Sequence, residues 1–176
     1  MRAVRLISLA FVPVLAVPLS GCSAQPGPQA WAASVCTALS PWRSEIDTLT
    51  SRTQQQMSSR TTPGQAKENL SRLFDGAASA SEEARVEVER AGIPDVTNGD
   101  AIAHGFTGSL AGIRDAYGTA RSGIQALATT PAKNFYTEVG KVVERLTTDY
   151  EKSSLDTTKL ESVELRQAFD SLPECQ

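Results

Sequence analysis

The chain contains one histidine, His104, and only 6% aromatic residues among its 176. A single imidazole excludes a histidine-rich metal centre and any catalytic dyad built on two imidazoles. Lys and Arg number 17 against 20 Asp and Glu. That balance gives no basic footprint for nucleic acid. No segment sustains the two-residue alternation of a half-buried strand, so essentially no sheet is expected. What remains is ordinary: 40% hydrophobic and 21% charged residues, the usage of one globular domain.

The first 21 residues read differently from the rest. Arg2 and Arg5 form a short positive region, and Leu6 to Leu19 is apolar but interrupted by Pro13 and Pro18. A spanning helix needs about 20 apolar residues, and proline breaks a helix interior. The layout is that of a secretory signal. It ends in Leu19-Ser20-Gly21-Cys22, which resembles the lipobox of bacterial lipoproteins. The resemblance implies cleavage before Cys22, acylation of its thiol and attachment to the membrane through a diacylglycerol. Removing the first 21 of 176 residues leaves 155, and the loss of Arg2 and Arg5 takes the net charge from −3 to −5. Such an acidic protein is not held to an anionic leaflet by its own charge, so the acyl chains must do that work. Residues 22–29 read as a tether rich in proline and glycine.

With Cys22 committed to lipid, Cys36 and Cys175 remain, an even number in an oxidising compartment. A bridge between them would close a loop of about 140 residues, for which chain entropy gives roughly 4–5 kcal/mol. The alternative is a reactive or metal-binding thiol pair, but neither cysteine lies in a C-x-x-C pattern.

Residues 30–176 read as a single helical domain. Trp31, Val35, Leu39, Trp42, Ile46 and Leu49 recur at steps of three and four. Pro41 either kinks this helix or starts a new one behind Ser40, and the polar residues from Ser51 to Thr62 mark a fraying end and a loop. Thr62-Pro63-Gly64-Gln65 is a capping box with proline at the first helical position. The second helix carries Leu70, Phe74, Ala77, Ala84, Val88 and Ala91, and Gly92-Ile93-Pro94 stops it. A third helix is expected from about Asn98 to Ala128. A fourth should follow the cap-plus-proline pair Thr130-Pro131 and end between Glu151 and Leu160. Thr158-x-x-Glu161 would cap a short last helix bearing Leu165, Phe169 and Leu172. The expected fold is all-α, an up-down four-helix bundle with a short C-terminal helix, closed by one disulfide.

The third helix is unusual. Six of the 12 glycines lie between Thr97 and Ala128. Gly105, Gly108, Gly112, Ala116, Thr119, Gly123 and Ala126 fall within about 80° of one another on a helical wheel. The bulky stripe, Ile102 to Leu127, lies about 120° away. The small face either admits a neighbouring helix closely or serves as an interaction face where a partner docks.

No nucleotide-binding or hydrolase motif is present. His104 falls near the polar side of its helix. Glu82, Glu83, Glu87 and Glu89, interleaved with Arg85 and Arg90, read as a solvated face. No catalytic, metal or cofactor residues are assigned. Both ends of the chain resemble small lipoproteins and secreted proteins of high-GC Gram-positive bacteria (actinobacteria). The residues carrying this are the lipobox, the run from Trp31 through Val35-Cys36 and Leu39 to Pro41-Trp42, and Leu165, Ala168-Phe169, Pro173 and Cys175 at the end. The resemblance implies localisation, the cysteine pair and a helical fold, but no active site. The expected role is a non-enzymatic interaction or scaffold module on the outer face of the cytoplasmic membrane, docking an envelope protein or cell-wall polymer. Two alternatives are a carrier of an apolar small molecule between helices and an envelope hydrolase using Ser–Lys or carboxylate chemistry.

Overall fold

A computed structural model describes residues 25–154 and 156–176. Residues 1–24, with the expected signal and Cys22, lie outside the described residues. Five α-helices follow: α1 (Pro28–Gln56), α2 (Pro63–Arg90), α3 (Gly99–Ala126), α4 (Ala132–Ser153) and α5 (Val163–Ser171). Short 3-10 turns occupy Thr157–Lys159 and Pro173–Cys175, and no strand occurs among the described residues.

Cross-helix contacts reveal the direction of each element. Trp31, Trp42 and Leu49 of α1 meet Gly92, Ser81 and Gly76 on the α2 side, so the order is inverted. Asp75 and Glu82 of α2 pair with Arg121 and Arg114 of α3, again inverted. Gly112 and Gly123 of α3 face Ser153 and Val142 of α4. Successive helices therefore run up and down. The α2–α3 pair is central, α1 lies on α2, α4 lies on α3, and α5 packs against α1.

Helix α1 begins at Pro28, two residues before the expected domain boundary, because proline suits the first helical turn. It runs unbroken through Pro41 and on through the polar residues to Gln56. The lack of an N–H at Pro41 frees only the Thr37 carbonyl, and Thr37 is exposed to water. The α2 capping box forms as expected: Thr62 Oγ1 accepts from the Gln65 amide at 3.3 Å, and Gln65 Oε1 accepts from the Thr62 amide at 3.0 Å. At the other end Gly92 adopts a φ of 74°, which favours glycine. Helix α3 starts at Gly99, where an added Cβ would collide with the Pro94 carbonyl oxygen.

Two expected caps are corrected. Helix α4 starts behind Pro131, which is itself the N-cap and follows a cis peptide bond, and no side chain caps it. Thr130 therefore has no capping role. Helix α5 is capped by Ser162, whose Oγ accepts from the Leu165 amide at 3.2 Å. Thr158 belongs to the preceding 3-10 turn, where Asp156 accepts from its amide at 3.0 Å.

The core has two parts. The larger joins α1, α2, α3 and α5 around Trp31, Val35, Val88, Phe106, Leu110, Leu165 and Phe169. The Trp31 ring, 0% exposed, meets Phe106 edge-on at 5.2 Å between centroids and Phe169 at 6.2 Å. Phe106 and Phe169 stack at 5.5 Å. The Trp31 indole N–H donates to the Gly92 carbonyl at 2.8 Å, so the buried polar tip is satisfied. Beside this cluster Cys36 and Cys175 form a disulfide, with their Cα atoms 5.0 Å apart. The smaller part, Phe74, Ala120 and Ile124, receives Leu70, Tyr117, Val139, Val142 and Leu146 from its edges. The double variant Cys36→Ala/Cys175→Ala should lose roughly 2–5 kcal/mol in urea unfolding. A loss below about 1 kcal/mol would show that the bridge contributes little to the fold.

Candidate functional site

The small-residue face of α3 is mostly occupied from within. A Cβ at Gly112 would lie 2.5 Å from Ser153 Oγ, and one at Gly123 would lie 3.1 Å from Val142 Cγ2. Ala116 is buried, and with Gly123 it lines a cleft against Val142, Leu146 and Asp149. Ser109 donates to the Ser153 carbonyl at 2.6 Å, which fixes the end of α4 on this face. The glycines thus let α4 approach closely, as small residues permit. Gly108 is exposed with nothing within 4 Å of its Cβ direction among the described residues, and Gly105 is half-buried. Gly105, Gly108, Gly112, Ala116 and Gly123 therefore do not form one continuous open face. Around Gly112 and Gly123 the close approach of a neighbouring helix, the first of the two expected readings, is what occurs.

The acidic run on α2 divides in two. Glu82 turns toward α3, where Arg85 donates to it at 2.8 Å and 3.0 Å and Arg114 at 2.7 Å. These guanidinium contacts, Arg85 first, hold its carboxyl down at about 2. Glu89 also pairs with Arg85, and Glu87 pairs with Arg90. Glu83 is exposed and has no basic partner among the described residues. Of the run, only Glu83 keeps a free carboxylate.

A groove of about 740 Å³ follows from this arrangement. It lies between α1 and α2, lined by Ala38, Pro41 and Trp42 on one side and Gly76, Ala80 and Ala84 on the other. Glu45, Glu83 and Glu87 edge it. Its Trp42 wall is fixed, because the indole N–H donates to Ser81 Oγ at 3.0 Å and Ser81 in turn donates to the Ala77 carbonyl at 2.8 Å. Ser81 is fully buried. It was not singled out in the sequence, although Ala77, Ser81, Ala84 and Val88 follow helical spacing.

Other chemistry-bearing residues are dispersed. His104 is exposed and lies 3.4 Å from Asp100 of its own helix. Among the described residues no Ser–Lys hydrogen bond occurs, and no group of three or more His, Cys, Asp or Glu could hold a metal. Tyr117 and Tyr150 meet edge-on at 6.1 Å. Burial and then the neighbouring Tyr150 push the Tyr117 phenol up to about 12, so it keeps its proton at neutral pH. No helix among the described residues is long and apolar enough to cross a membrane. The chain matches no protein-family model, no curated protein and no solved structure.

The occupied face gives opposite expectations for two neighbouring glycines. Gly108→Ala should stabilise the fold by about 0.5–1 kcal/mol through lower chain entropy. Gly112→Val should cost about 1–3 kcal/mol by forcing α4 away. Denaturant titration of both variants decides this; equal effects would show that α4 does not sit on Gly112.

Proposed function

We propose that this is a lipid-anchored envelope protein, held on the outer face of the cytoplasmic membrane by a diacylglycerol on Cys22, which acts as a non-enzymatic interaction module. The observation that carries the reading is how soon after Cys22 the domain begins. Pro26 already accepts from the Asp95 amide at 2.9 Å, and α1 starts at Pro28. Three residues lie between Cys22 and Pro26, and the four steps of chain span at most about 14 Å when extended. An anchor at Cys22 would place the pole that carries Trp31 and the disulfide next to the bilayer.

Charge placement supplies no electrostatic attraction in that arrangement. The opposite pole, formed by residues 50–67 and 123–137, carries Arg52, Arg60, Lys67 and Lys133 and no Asp or Glu. The pole nearest the tether carries Asp95, Asp100, Glu161, Glu164, Asp170 and Glu174 against Arg90, Lys159 and Arg166. Acidic groups beside an anionic leaflet gain no electrostatic binding, so retention falls to the acyl chains. The disulfide between Cys36 and Cys175 accords with an oxidising compartment.

The Cys22→Ala variant should leave the detergent phase and the membrane fraction. Unchanged partitioning would overturn the anchor. Crosslinking on intact membranes should recover a reproducible partner, and repeated failure with folded protein would remove the interaction reading.

A further inference from the structure

We propose that the groove between α1 and α2 docks an extended, lysine- or arginine-bearing segment of a partner protein. This rests on the reading of the domain as an interaction module and names the chemistry of its partner. The groove spans Gly76 to Arg90 along α2, about 21 Å of helix. That is room for about six residues of extended peptide at 3.3 Å each. Its floor is apolar, formed by Ala38, Ala80 and Ala84.

The charged groups that the groove leaves without an ion pair are carboxylates. Glu45 on α1 and Glu83 on α2 both line it, with no basic partner among the described residues. Arg90, the cation of the lining, is held by Glu87. Glu82 is saturated by Arg85 and Arg114. Pro41 leaves the Thr37 carbonyl without its helical donor, one turn away on the same side of α1. The same groove is lined by the Pro41 ring and the Trp42 ring, the latter locked by Ser81. An aromatic face beside unpaired carboxylates suits a long aliphatic stem ending in a cation. An anionic polymer or a lipid headgroup would meet uncompensated negative charge here, so the groove selects a basic peptide.

The test uses the protein as isolated in non-ionic detergent, ¹⁵N-labelled, with an alternating Lys–Ala octapeptide as probe and a Glu–Ala octapeptide as control. The Lys–Ala peptide should shift the Trp42 indole N–H and amides of residues 38–45 and 76–90 saturably, and the Glu–Ala peptide should not. Glu45→Gln/Glu83→Gln should weaken binding about tenfold while leaving the fold unchanged, because both residues are exposed. Shifts centred elsewhere, no saturable shift, or equal affinity in the double variant would overturn the assignment. Self-association abolished by the same variant would give the groove to a second copy, which also overturns it. A crosslinked partner captured equally well by Glu45→Gln/Glu83→Gln would sink the groove alone, leaving the interaction module and its anchor standing.

Discussion

The fold depends on the aromatic clasp of Trp31, Phe106 and Phe169, which ties α1, α3 and α5 at one pole. Helix α5 has nine residues, too few to be stable alone in water. It persists because Leu165, Ala168 and Phe169 are buried, and because the Cys36–Cys175 bridge ties the chain just beyond it back to α1. The clasp also places both ends of the domain together. The N-terminal segment is pinned at Pro26 by Asp95, and the start of α1 is pinned by the Trp31 bond to Gly92. A load applied through a tether at Cys22 would enter the molecule where it is most strongly crosslinked.

Away from this pole the packing thins. Half of the buried residues of α2 are alanines, at positions 66, 77, 80 and 84, and this lets α1 and α3 approach it closely. Helix α4 is attached differently: its one buried residue is Phe135, and its grip on α3 comes from Val142, Leu146 and Ser153 seated against small residues. The α1–α2 groove sits between these regimes. It is walled by a tryptophan fixed from behind and floored by alanines, so it is rigid without being filled. A rigid site loses little conformational entropy on binding.

The helices were legible because their apolar residues keep a 3.6-residue period and one stop signal, Gly92-Ile93-Pro94, uses glycine and proline in the expected order. The Thr62–Gln65 box and the cysteine pairing were legible for the same local or arithmetical reasons. Thr130-Pro131 and Thr158 misled because a capping pattern states only what a terminus could do. Pro131 itself became the cap in one case, and Ser162 took the role in the other. The occupant of the α3 small face was not legible, since both readings share one sequence pattern. Nor were the Glu82–Arg114 pair and the Ser81 support for Trp42, which join residues 32 and 39 positions apart. The groove needed that knowledge, because only the structure separates Glu82, which is paired, from Glu83, which is not.

Native-state hydrogen exchange on the oxidised protein tests the clasp most directly. Amides of Val35 to Ala38, Phe106 to Leu110 and Phe169 should exchange only through global unfolding. Those of α4 from Val142 to Tyr150 should open locally at a free energy at least about 1 kcal/mol lower. Protection in α4 that equals the global value, with α5 exchanging at free-peptide rates, would contradict the account.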